Sequence, residues 1–239
     1  ARRYAMPAPL TFEPSLLNSQ GLNLQSVFNI SQLPNPLQEQ LKALVDDLHN
    51  YKQLILIAHG GKEMWNALHE DAWLAEQPID QATMNTVQDW FTQNYPNKPQ
   101  RFIYPSNQPI NLQALGELAG WHYPSPFLVG INNIWGSWFA YRAVLLTNTD
   151  IEVTPKLEGQ SPCDSCQNKI CIELCPAQAC AVGSFDMNAC LTYRKSENSK
   201  CQHTCLARVA CPVAKPHKYG RQQMKYHYGI SMKVIKELE

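Results

Sequence analysis
Leu37, Leu41, Leu44, Val45 and Leu48 recur at helical spacing just after Asn35-Pro36, a pair suited to a helix start, and predict an amphipathic helix. The run over 53–58, Gln-Leu-Ile-Leu-Ile-Ala, is too short for a buried helix and predicts a buried strand, ended by His59-Gly60-Gly61. A short helix is expected around 62–69. A longer one is expected over about 80–94, with Val87, Trp90 and Phe91 on one face. Residues 101–104 predict a second strand stopped by Pro105, 112–119 a further helix, and 140–146 another buried strand. Helices alternating with short strands predict a layered sheet domain of the α/β or α+β class, with no internal repeat.

Composition places the chain among ordinary globular proteins: 44% hydrophobic, 17% charged and without low-complexity tracts. The 20 basic and 20 acidic residues cancel, so a polyanionic partner covering the whole surface is not expected. The tail after Cys211 is locally basic, with Lys215, Lys218, Arg221, Lys225, Lys233 and Lys236. It suits either a solvated helix face or docking to an acidic redox partner. No apolar stretch approaches the roughly 18 residues of a membrane span. The first residues lack the apolar core of a secretory signal, so a cytoplasmic location and no membrane partner are expected.

All nine cysteines fall between Cys163 and Cys211. An odd number packed into one stretch does not suit a disulfide framework. Their order is Cys163-x2-Cys166-x4-Cys171-x3-Cys175-Pro176, then Cys180 and Cys190, then Cys201-x3-Cys205-x5-Cys211-Pro212. A cubane iron–sulfur cluster needs four converging thiolates. In two-cluster bacterial ferredoxins the cysteine before proline crosses to the other cluster. Applied here, that rule assigns Cys163, Cys166, Cys171 and Cys211 to one [4Fe–4S] cluster. Cys175, Cys201 and Cys205 join a second, completed by Cys190, which chain order favours over Cys180. Zinc held by four-cysteine sets is the alternative, since eight thiolates would also serve two ions. The two Cys-Pro endings favour iron–sulfur. The x4 gap after Cys166 departs from the usual x2 and changes the loop whose N–H groups tune a cluster's potential.

Three features together resemble the iron–sulfur half of epoxyqueuosine reductases and, more distantly, reductive dehalogenases. They are Ala119-Gly120-Trp121, the stretch Trp135-Gly136-Ser137-Trp138-Phe139 leading to Tyr141-Arg142-Ala143, and the cysteine pattern. The resemblance covers roughly residues 101–211. It implies an α+β protein: a nitroreductase-like N-terminal domain over 1–158, a ferredoxin-like two-cluster module over 159–214, and a basic tail over 215–239. It also implies cobalamin or another flat cofactor under the 120–146 segment, fed with electrons by the clusters. The family's Arg-Asp-Tyr-His proton-donor segment has no counterpart here. His122-Tyr123-Pro124-Ser125-Pro126 stands where the family has Gly-Lys-Asn, and its tRNA-handling helical repeats are absent, so no tRNA partner is expected.

Trp121, Trp135, Trp138, Phe139 and Tyr141 suit either core packing or the wall of a planar macrocycle or flavin. Arg142 suits a buried ion pair or a clamp on a cofactor's polar group. Trp135, Tyr141 and Arg142 are therefore the candidate cofactor-binding residues. His59, at a strand's carboxyl end, reads as a hydrogen-bonded turn histidine or an anion site. His122 and His203 read as structural. No dinucleotide fingerprint or Walker loop supports NAD or ATP. Two functions remain open: an oxidoreductase whose clusters feed a cobalamin-like cofactor or a small-molecule substrate, and a ferredoxin-type carrier serving a redox partner protein.

Overall fold
The computed structural model describes residues 8–237, so the reading of the chain's first few residues falls outside it. In chain order the elements are α1 (Ser15–Ser19), β1 (Leu24–Asn29), α2 (Asn35–Leu44), β2 (Gln53–Gly60), α3 (Glu63–Ala67), α4 (Pro78–Asn94), β3 (Gln100–Tyr104), α5 (Leu112–Ala119), β4 (Phe139–Thr147), α6 (Ile170–Glu173), β5 (Cys180–Ala181), β6 (Ser184–Phe185), α7 (Met187–Lys195), α8 (Leu206–Ala210) and α9 (Arg221–Glu237). No described helix is long and apolar enough to cross a membrane.

The main sheet has strand order β1-β2-β4-β3. β1 pairs antiparallel with β2, setting Val27 opposite Ile55, and β3 pairs antiparallel with β4, with a register shift between Phe102 and Tyr104. Every residue of β2 is buried, as expected of a strand read from a nearly unbroken apolar run. The strand β1, Leu-Gln-Ser-Val-Phe-Asn, was not expected: its buried residues are Leu24, Ser26 and Val27, which follow no clean alternation. At the start of α2, Asn35 is the first helical residue and makes no capping bond. Gln38 Nε2 instead reaches back to the carbonyls of Ser31 and Leu33.

The chain divides into two compact units. The first takes the described part of Ala1–His59 with Asn66–Leu115 and Ala140–Lys156. The second takes Gly60–Trp65, Gly116–Phe139 and the described part of Leu157–Glu239. Residues 116–139 thus group with the cysteine-bearing chain.

In the first unit, Leu54–Ile57, Val87, Trp90, Phe91, Ile103 and Val144–Leu146 form the apolar centre. Gln53 is buried there with its amide fully used. Its Nε2 donates to Asn29 Oδ1 (3.0 Å) and the Ile151 carbonyl (2.8 Å). Its Oε1 accepts from Thr149 Oγ1 and the Ile151 N–H, both at 2.8 Å. A saturated buried amide welds the 149–151 segment to β2 at little desolvation cost.

In the second unit, Phe127, Ile131, Ala207 and three cysteines form one apolar cluster, and Trp138, Tyr219 and Met224 another. Gly120 explains the glycine in Ala-Gly-Trp: its φ is +78°, and a Cβ there would stand 2.2 Å from the Leu157 carbonyl oxygen. The basic tail forms α9, which buries Gln223, Met224, Met232 and Ile235.

Candidate cofactor site
Three short devices present the cysteines. Lys169, in left-handed backbone at φ 39°, folds its ammonium onto the carbonyls of Cys163 (2.8 Å) and Cys166 (3.0 Å), closing the loop that contains the x4 gap. Asp186 caps α7 by accepting from the Ala189 N–H at 2.9 Å, which orients the turn bearing Cys190. Cys205 stands at the start of α8, where its sulfur accepts from the Arg208 N–H at 3.5 Å.

The thiols gather around two recesses of the second unit. Cys163, Cys166, Cys171 and Cys211 line one, together with Phe127, Pro126 and Pro212; its cavity is about 20 Å³. Cys175, Cys180, Cys190, Cys201 and Cys205 line the other, a predominantly apolar cavity of about 450 Å³. Burial pushes the Cys163, Cys171 and Cys211 thiols above their usual value, and Cys166 adds to the rise in each. Burial likewise pushes up Cys190, Cys201 and Cys205, with Cys175 adding in each. Cys180 is raised most strongly, by burial first and then by its hydrogen bond to Cys175.

Among the described residues no three Cys, His, Asp or Glu side chains are gathered tightly enough for a single metal ion, which would need sulfurs about 2.3 Å from one centre. A cubane takes one thiolate at each iron corner and so suits a wider donor set. The large recess fits such a group in donors and in space. The small one fits in donors, while its cavity is little more than the volume of one water, about 10–15 Å³.

Two residues that sequence reasoning missed line the larger recess. Arg208 is 7% exposed and Arg194 9%. Arg208 Nε donates to Ser137 Oγ at 3.3 Å, one of its Nη groups donates to the Ser137 carbonyl, and its guanidinium lies 4.5 Å from the Trp138 ring and 5.1 Å from Tyr219. Arg194 Nε donates to the Cys201 carbonyl at 3.0 Å and Nη1 to Ser231 Oγ at 3.0 Å. Among the described residues neither has a carboxylate within ion-pair distance; the three ion pairs found involve Lys42, Lys52 and Arg101. The only sequence signal was the position of these arginines three residues after Cys205 and four after Cys190.

The residues singled out for a flat cofactor are differently engaged. In the second unit, Trp135 is half-buried, with its ring 4.4 Å from His217 and packed on Gly60, whose missing Cβ would fall 2.2 Å from it. Asn132 holds this turn by accepting the N–H groups of Ile134 and Trp135 while donating to the Trp121 carbonyl. Trp121, Trp138 and Phe139 are buried. In the first unit, Tyr141 and Arg142 are half-buried, and Arg142 Nε donates to Nδ1 of the buried His59 at 2.9 Å. His122 is buried against Gly130, and burial lowers its basicity despite Glu117. His203 is exposed.

Fold and site together define a mixed α/β protein with a small antiparallel sheet and a cysteine-rich second unit. No protein-family model matches the sequence, and no curated protein matches it significantly. Solved structures do match in fold. Epoxyqueuosine reductase from Bacillus subtilis aligns at TM-score 0.52 and 14% identity, over 87% of this chain and 66% of that one. The C. elegans B12-trafficking protein CblC aligns at 0.50 and 14%, over 93% of this chain and 92% of that one. A catabolic reductive dehalogenase in complex with 3-bromo-4-hydroxybenzoic acid aligns at 0.50 and 12%, over 90% and 33%. The chain therefore spans slightly under two thirds of the B. subtilis reductase and a third of the dehalogenase. At such identities the likeness is one of fold.

Proposed function
We propose that the chain is an iron–sulfur electron-transfer protein with two [4Fe–4S] clusters. Cys163, Cys166, Cys171 and Cys211 would hold one, and Cys175, Cys190, Cys201 and Cys205 the other. The observation that carries this reading is the sorting of these eight thiols into two recesses, each closed by one cysteine that precedes proline. Each cluster, when bound, accepts and passes on one electron at a time. The chain supplies the thiolates, the apolar walls that keep water from the sulfurs, and the backbone N–H groups that face them.

The electrons would serve a cobalamin-like cofactor or a small-molecule substrate at the N-terminal domain, as in a reductase. Likeness in fold to epoxyqueuosine reductase and to a B12-trafficking protein supports this, as does the retention of a whole sheet domain ahead of the cysteines. Tyr141 and Arg142, in the first unit, are the candidate contacts to such a cofactor there.

Anaerobic purification with iron and sulfide assay tests the central reading: a brown protein with about eight irons is expected, and a colourless protein with two zinc ions would overturn it. Adding cob(II)alamin separates the finer readings. A shifted corrin spectrum supports the reductase, and an unchanged spectrum leaves a carrier that hands electrons to a redox partner protein.

A further inference from the structure
The two cysteine recesses differ in charge. Arg194 and Arg208 both line the larger recess, both are buried, and neither has a carboxylate partner among the described residues. The smaller recess is lined by one cation, Lys169, which is half-buried and whose ammonium is spent on the Cys163 and Cys166 carbonyls. Burying a guanidinium without a counter-charge is costly, and here aromatic faces and carbonyl oxygens offset that cost only partly. An anionic group in the recess would complete the balance.

We infer that Arg194 and Arg208 are positioning and tuning residues for an anionic cluster on Cys175, Cys190, Cys201 and Cys205, and that they hold its reduction potential above that of the cluster on Cys163, Cys166, Cys171 and Cys211. The inference rests on the two-cluster reading. Four thiolates bring four negative charges, and each electron added brings another. Fixed positive charge in a low-dielectric wall therefore favours the reduced form. An electron supplied by a low-potential one-electron donor protein would settle on the second site, leaving the first oxidised again.

The test is a redox titration followed by electron paramagnetic resonance on anaerobically purified full-length protein, with Arg208→Met, Arg194→Met and Arg208→Lys as variants. Either methionine variant should lower one midpoint and leave the other in place, and the lysine should keep most of the parent value. The shifted signal should be the one missing from Cys190→Ala. Arg194→Met, on a different helix, serves if Arg208→Met does not fold. Unchanged midpoints in the methionine variants, or equal shifts of both clusters, overturn the inference. A parent protein without iron refutes instead the reading beneath it, and the iron assay separates the two failures.

Discussion
Arg142 Nε donates to His59 Nδ1 across 2.9 Å, so the imidazole is neutral at that nitrogen and carries its proton on Nε2. The pair joins two features that looked separate in the sequence: an arginine suited to clamping a cofactor and a histidine at the end of a buried strand. The guanidinium is oriented by the ring, so an Arg142 that meets a cofactor would do so from a fixed direction.

Replacing His59 by phenylalanine removes the acceptor of half-buried Arg142 and should therefore cost about 1 kcal/mol, the low end of the usual penalty for a stranded hydrogen-bonding group, because water reaches part of the guanidinium. Urea denaturation of the two proteins checks it. His59→Gln, which can still present an acceptor, should recover part of the loss.

Cys190 and Cys180 line the same recess, but Cys180 is buried and sits in the β5 strand of the β5–β6 hairpin, whereas Cys190 lies on α7. Cys190→Ala should drop the iron content from about eight to about four per chain, while Cys180→Ala should leave it near eight. Iron assay and visible spectra of the two variants decide the matter. The reverse result would make Cys180 the ligand.

The strand β2 and the 143–146 part of β4 were legible because both are nearly continuous apolar runs, a pattern that survives without any knowledge of neighbours. The helix α5 ends where Gly120 permits positive φ, and that too was legible. The strand β1 was not. Ser26 is buried within it, and the residue on either side of the strand's midpoint gives no period of two. The gathering of the cysteines in the second unit was legible as spacing, since all nine lie between Cys163 and Cys211. The arginines beside them were not, because Arg208 is held by Ser137, Trp138 and Tyr219, which lie 71, 70 and 11 positions away in the chain. Nothing local marks a cation whose partners are aromatic faces and carbonyls brought in from elsewhere.

His122 predicts a pH dependence. Burial holds its imidazole below the ordinary histidine value, and Glu117 opposes this only in part. A folded-state value lower than the unfolded one means that protonation favours the unfolded chain. The stability cost is absent above about pH 6.5 and grows as pH falls through it. Thermal melts of the protein and of His122→Gln between about pH 8 and about pH 5 should diverge, the parent losing more on the acid side. Parallel curves would show that His122 does not titrate differently on folding.

Gln223 on α9 gives the opposite kind of expectation, a substitution that stabilises. Its side chain is fully buried, and among the described residues neither its amide oxygen nor its nitrogen has a hydrogen-bond partner. An unpaired buried amide costs about 1–3 kcal/mol in proteins, whereas an apolar side chain of similar length at the same position has no such penalty. Gln223→Met keeps the length and flexibility needed to fill the site. It should therefore raise the denaturation midpoint, with a gain of about 1–3 kcal/mol at unchanged m-value. Gln223→Ala separates the two contributions, because it removes the unpaired amide but opens a cavity, and it should fall below Gln223→Met. A methionine variant less stable than the parent would mean that the glutamine is satisfied in the folded protein by a group that the methionine cannot engage.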